Sequence, residues 1–116
     1  MKIEKFEDLI VWQKSKILTI LVYKTFSNKK DYGFKDQIQR ASVSVMNNIA
    51  EGFERRGDKE FKYFLSIAKG SCGEVRSMLY LGYELKYISK HEFEELYATA
   101  VETSKMIAGL TKALNF

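Results

Sequence analysis

QIQRASVSVMNNIAEGFERR, residues 37–56, is the stretch whose reading decides the fold. Apolar side chains at Phe34, Ile38, Ala41, Val45, Ile49 and Phe53 step by four, three, four, four and four. That spacing returns them to one side of an α-helix, the side pressed on a core. A polar line runs beside it through Gln37, Arg40, Ser44, Asn47, Asn48 and Glu51. A helix lying free on a surface carries mixed Lys and Glu there. Amides and hydroxyls predict instead that part of the line is enclosed by neighbouring helices or by another subunit, where each group needs a partner.

Three further helices follow from the flanking sequence. The first is predicted over 8–26, with Asp8 as its cap or first-turn acid. It carries too many apolar residues for one stripe. A second subunit is the simplest cover for the surplus, with Trp12, Leu18 and Val22 at the interface. The alternative is a helix sandwiched on two sides within one chain. After a polar loop (27–33) the second helix is predicted over 34–55, closed by Gly57 in the left-handed conformation. Asp58 then caps a third helix over 59–87, whose stripe is Phe61, Phe64/Leu65, Ala68, Cys72, Val75, Leu79 and Gly82. Gly70 and Gly73 sit inside it and predict a close helix crossing or a kink, because mid-helix glycine costs about 1 kcal/mol relative to alanine. The fourth helix, 90–114, opens on the capping box Ser89-Lys90-His91-Glu92. Phe93, Leu96, Ala100, Thr103, Ile107, Leu110 and Leu114 then form a heptad seam. Four helices with short links make an all-α protein, an up-down-up-down four-helix bundle in one domain spanning 1–116.

Composition agrees. The chain has no proline, so nothing breaks long helices. The lone Cys72 cannot form an internal disulfide and suits a reducing, cytoplasmic setting. The N-terminal MKIEKFEDL mixes charges before any apolar run, so no secretory signal is expected. No apolar stretch approaches the roughly 20 residues of a membrane span, so no membrane partner is expected.

Reaction chemistry is not visible. A di-metal carboxylate centre in a bundle needs Glu-x-x-His on two helices, and the single His91 has Ile88 where that carboxylate would stand. Zinc wants several Cys or His, and there is one of each. A Cys72–His91 catalytic pair requires the fold to bring the two together; on the apolar stripe Cys72 reads as a buried, inert thiol. No metal, cofactor or enzymatic activity is expected. Arg40, Asn48, Glu51 and Glu74 read as a structural polar network that fixes helix register.

Charge is the remaining signal. The net +4 is uneven: seven lysines against four acids in residues 1–33 give +3 of it. Lys29 and Lys30 stand in the first loop; Arg55, Arg56, Lys59 and Lys62 surround the link between the second and third helices, diluted by Glu54, Asp58 and Glu60. In an up-down bundle these groups lie at opposite ends, and oligomerisation would repeat each into a basic ring able to meet a polyanion. Tyr32 and Tyr63 are near enough in sequence to stack on unpaired bases, or to pack in the core or its rim.

Phe6-x-x-Leu9-x-Val11-Trp12-Gln13, Tyr32-Gly33-x-x-x-Gln37-Ile38-x-Arg40-Ala41, Asn48-Ile49-Ala50-Glu51-Gly52 and Phe64-Leu65-x-Ile67-Ala68-x-Gly70-Ser71 follow one another in order. In these segments the chain resembles the bacterial four-helix-bundle family encoded in intervening sequences of 23S ribosomal RNA genes. A related branch is the accessory protein of diversity-generating retroelements. The resemblance implies a closed homo-oligomer, a pentameric ring of bundles, with no enzymatic activity; the retroelement branch works with a reverse transcriptase and nucleic acid. Family members often carry proline before the Tyr32-Gly33 pair and at Met46, and this chain has neither. The expectation is therefore a non-enzymatic homo-oligomer. It would bind RNA, DNA or a ribonucleoprotein through basic surface residues, or else serve as a protein-interaction scaffold.

Overall fold

A computed structural model describes residues 2–114. It contains α1 (Ile10–Phe26), α2 (Tyr32–Glu54), α3 (Asp58–Glu84) and α4 (Lys90–Ala113), preceded by a 3-10 helix, Phe6–Asp8. Each long helix packs on two neighbours, α1 with α2 and α4, and α3 with α2 and α4. Diagonal pairs make no close backbone approach among the described residues, so the cross-section is a square, the up-down-up-down bundle expected. The molecule measures 43 × 22 × 20 Å, its long axis set by the roughly 40 Å length of the 27-residue α3. No helix is long and apolar enough to cross a membrane.

The helix ends differ from the sequence reading in instructive ways. Asp8 lies in the 3-10 helix and Leu9 stands at the cap of α1. α2 begins two residues earlier than the apolar steps suggest, because the Asp31 carboxylate accepts the Phe34 N–H at 3.1 Å. The left-handed residue that closes α2 is Arg56, with φ 65°, and Gly57 is extended. Arg56 lies with its guanidinium 5.2 Å from the centre of the Phe53 ring, and Nη2 donates to the Glu4 carbonyl at 3.4 Å. Those contacts hold a side chain in a backbone conformation that costs about 1 kcal/mol or more outside glycine. Asp58 is then the first residue of α3 rather than its cap. At the other end α3 stops at Glu84, three residues before the expected 87. Lys86 takes φ 63°, and the Tyr87 and Lys86 N–H groups bond back to the Gly82 and Tyr83 carbonyls at 2.8 and 3.0 Å, a Schellman closure. The capping box of α4 forms as read: Ser89 Oγ accepts the Glu92 N–H and Glu92 accepts the Ser89 N–H.

The core is filled by Leu18, Val22 and Phe26 of α1, Ile38 and Ile49 of α2, Leu65 and Leu79 of α3, and Leu96 and Ile107 of α4. Four buried hydroxyls are satisfied by carbonyls. Ser15, Ser42 and Thr103 bond within their own helices, while Thr19 Oγ1 lies 2.9 Å from the Ser15 carbonyl and 3.0 Å from that of Ser42, linking α1 to α2.

Two expectations are overturned here. Leu18 and Val22 are fully enclosed within one chain, so they belong to the core and not to a subunit interface. The core stripe of α1 runs Val11, Ser15, Leu18, Val22 and Phe26, and the apolar surplus points the other way. Ile10 is 63% exposed, Ile17 48%, Ile20 44% and Tyr23 43%. Trp12 is half-buried, edge-on to Phe6 at 5.1 Å. Gly70 and Gly73 make no close crossing: a Cβ at either would meet nothing within 4 Å. Close approach falls instead at Gly52, where a Cβ would stand 2.7 Å from the Phe64 Cβ and 3.0 Å from the Phe61 ring.

Candidate nucleic-acid interface

Arg40, Asn48, Glu51 and Glu74 do not form one network. Arg40 pairs with Asp36 at 2.9 Å in the open, and Glu51 pairs with Arg55 at 2.7 Å, each one turn away on α2. Asn48 donates to the Ser44 carbonyl at 2.8 Å. Glu74 accepts from Gln37 across to α2 at 3.2 Å, and the Ser44 and Ser71 hydroxyls meet at 2.8 Å. Among the described residues of this polar line, these last two hydrogen bonds are the ones that reach from α2 to α3. Enclosure of the polar line is thus confined to its middle, and Arg40, Glu51 and Glu74 do not converge on a shared pocket.

Cys72 and His91 are likewise separate. Cys72 is buried, its thiol donates to the Ala100 carbonyl at 3.1 Å, and burial pushes its pKa up to about 11. A thiol held neutral in this way is a poor nucleophile at physiological pH. His91 is exposed in the first turn of α4, nine residues before Ala100 and so about 13 Å away along the helix. Among the described residues no three His, Cys, Asp or Glu side chains group closely enough to hold a metal ion. An apolar recess of about 290 Å³ between the 3-10 helix, the α2–α3 turn and the end of α4 is lined chiefly by Ile3, Leu9, Phe53, Phe61 and Leu110. Its charged residues are Arg56 and Asp58, and it carries no nucleophile–base pair.

The cations fall at two ends of the bundle with different surroundings. At the turn end, Arg55 is bonded to Glu51 and lies 4.9 Å over the Phe64 ring. The Glu51 carboxylate holds the Arg55 pKa above its ordinary value. Arg56 is fixed on Phe53 and the Glu4 carbonyl, and Lys59 and Lys62 are also engaged. At the loop end, residues 27–31 and 85–89 are drawn together by Tyr87, whose hydroxyl donates to Asp31 Oδ2 at 2.7 Å. That bond, with the Phe34 N–H on the other carboxylate oxygen, keeps the Asp31 pKa below its usual value and the Tyr87 phenol above its own. Lys24, Lys29, Lys30, Lys86 and Lys90 surround this end, and among the described residues none of the five forms an ion pair. The basic residues singled out from the sequence therefore divide: Lys29 and Lys30 belong to a cationic end, while Arg55, Arg56, Lys59 and Lys62 have partners in their own chain.

One feature of this region was not read from the sequence. Tyr80 and Tyr83 of α3 meet Phe93 and Tyr97 of α4 beside the loop end. Phe93 and Tyr97 are stacked at 5.3 Å, while Tyr80 leans on both and stays 52% exposed. Arg76 sits 5.6 Å over the Tyr97 ring. Hydrogen bonding to Tyr80 and to Arg76 lowers the Tyr97 pKa. The spacing 76, 80, 83 could have shown that these three share a face of α3. Assigning Phe93 wholly to the heptad seam hid its place in the cluster. Tyr32 and Tyr63 are both exposed but lie far apart, Tyr32 opening α2 at the loop end and Tyr63 near the start of α3.

The sequence profile described as 23S rRNA-intervening sequence protein matches residues 7–109. Among solved structures, the chain is similar to a Bacteroides thetaiotaomicron VPI-5482 protein described as having unknown function and as being from the S23 ribosomal protein family. The two share 25% identity with a TM-score of 0.84, over 90% of this chain and 100% of that one. No curated protein matches.

Proposed function

This chain belongs to the 23S rRNA-intervening sequence protein family, and from that premise we propose that it is a non-enzymatic, homo-oligomeric helical bundle that binds RNA or DNA, alone or in a ribonucleoprotein. The observation that carries the nucleic-acid part is the loop end. Five lysines that form no ion pair among the described residues gather there around two loops tied by the Tyr87–Asp31 bond. Such a surface attracts phosphates without reading sequence, by releasing counterions. Lys29 and Lys30 are central to it.

The homo-oligomer rests on the outward side of α1. Ile10, Ile17, Ile20 and Tyr23 give this face an apolar surface that a monomer would leave in water. A ring of five would place five loop ends on one rim and multiply a modest charge. Light scattering should then return a mass five times the 13.5 kDa of one chain. A clean monomer at micromolar concentration would remove this part of the reading. For the nucleic-acid part, affinity for generic single-stranded RNA should fall steeply with salt and weaken in the Lys29→Gln/Lys30→Gln double variant. Absent binding at low salt, or binding flat with salt, counts against it.

The same α1 face favours one second reading, a protein scaffold with no nucleic-acid role. Its mark would be a partner retained through nuclease treatment and high salt.

A further inference from the structure

We propose that the aromatic cluster of α3 and α4 is a stacking platform for unpaired nucleobases, so that the ligand is single-stranded and not a duplex. This deepens the nucleic-acid reading above and rests on it. Tyr80 and Tyr83 step by three on α3, Phe93 and Tyr97 by four on α4, and the four rings lie within 5.2–5.3 Å of one another in a continuous chain of contacts. Core aromatics would be enclosed; here Tyr80 is about half exposed and Tyr83 is exposed too. A base offers a π face whatever its identity, and stacking on such rings is tolerant of sequence.

Charge selects the occupant. On α3 the platform continues back through Arg76 to Lys69, at steps of four, three and four by way of the open Gly73, and on α4 it is preceded by Lys90 three residues before Phe93. Acids neighbour it too: Glu84 follows Tyr83, and Glu92, Glu94 and Glu95 surround Phe93 along the chain. Arg76 is held lightly: its contacts are the Tyr97 ring and one long bond of 3.4 Å from Nη2 to the Tyr97 hydroxyl, and its Nε–H has no acceptor. Its guanidinium can turn to a phosphate without surrendering a strong bond. Aromatic faces bordered by three cations match a strand that alternates bases with phosphates. Continuity points the same way, because the platform meets the loop end at Lys86 and Lys90. A strand with its backbone on those lysines would bring its bases onto Tyr80 and Tyr83. A duplex keeps its bases stacked on one another and cannot use the rings.

The test compares a short oligoadenylate with an abasic oligonucleotide of equal length and charge, by fluorescence anisotropy at low salt. Base-bearing strand should bind about tenfold tighter than abasic strand. Tyr80→Ala, and more fully Tyr80→Ala with Tyr83→Ala, should erase that preference and leave abasic binding unchanged, with circular dichroism confirming the helices. Equal affinity for the two strands overturns the platform and leaves the lysine end standing. Failure of both strands to bind overturns the platform and the nucleic-acid reading together. A base preference that survives the double variant overturns the assignment to these tyrosines. Tyrosine signals moved by a proline-rich peptide and not by the oligonucleotide would make this a protein-docking face instead.

Discussion

The two ends of this bundle carry similar numbers of cations and differ in what those cations do. At the turn end Arg55 and Arg56 are a local run in sequence, and each is consumed by its own chain: a carboxylate one turn back, two phenylalanine rings, and a carbonyl 52 residues away. At the loop end the lysines come from both loops and from two helices, and among the described residues none of them forms an ion pair. Density of charge along a sequence therefore says little about charge available to a partner. What decides it is which groups the fold brings against each cation.

Packing gives the largest expected effect and sharpens the contrast first. Gly52→Ala at the turn end puts a Cβ 2.7 Å from another Cβ, and neither backbone can yield cheaply. Even after the helix-propensity gain of alanine, it should destabilise by about 2 kcal/mol, read by urea denaturation. Gly82→Ala at the loop end meets the tip of the Phe34 ring at 3.1 Å, which can tilt, and the Phe26 ring at an ordinary 3.7 Å, and should cost less. Equal losses would mean that the turn end is not the tighter of the two.

Charge comes next. Replacing Lys29, Lys30 and Lys90 by Gln should lower the slope of log affinity against log salt by about 2 for single-stranded RNA. Replacing Arg55 and Arg56 by Gln should leave the slope nearly unchanged. A reversed outcome would transfer the candidate interface to the turn end.

Asp31 supplies a smaller, pH-dependent contrast. Its folded pKa is lowered, so its contribution is present above the ordinary carboxylate value and is lost as pH falls through the folded value. Wild type should lose thermal stability on acidification below about pH 4 more steeply than Asp31→Asn, which starts lower. Parallel acid limbs would show that the Tyr87 latch contributes nothing. Smallest of all, Gly70→Ala and Gly73→Ala, between the ends, should each raise stability by up to about 1 kcal/mol, since no neighbour stands where the methyl would go.

Much of the fold was legible because its signals are local and repeated. The steps through Phe34, Ile38, Ala41, Val45 and Ile49, the Ser89–Glu92 box and the seam from Phe93 to Leu114 each report helix by periodicity or capping alone. The site was less legible. Leu18 and Ile17 are neighbours of like chemistry, and only the packing of α1 shows that Leu18 is enclosed and Ile17 half open. Gly70 and Gly73 looked like contact points because glycine is costly in a helix, yet the contact is at Gly52, where an aromatic pair from α3 arrives. Arg40 and Glu51 lie on one polar line, and each found a partner four residues away rather than the other.

The sequence by itself determined that this chain makes four amphipathic helices in one bundle, because helical periodicity and caps depend on residues within a turn or two. Only the tertiary structure decided which of its cations remain open to a partner, which side of α1 is left apolar, and that four rings from two helices meet beside the loop end. Those properties depend on neighbours distant in the chain, and a pattern of spacings carries no information about which distant group will arrive.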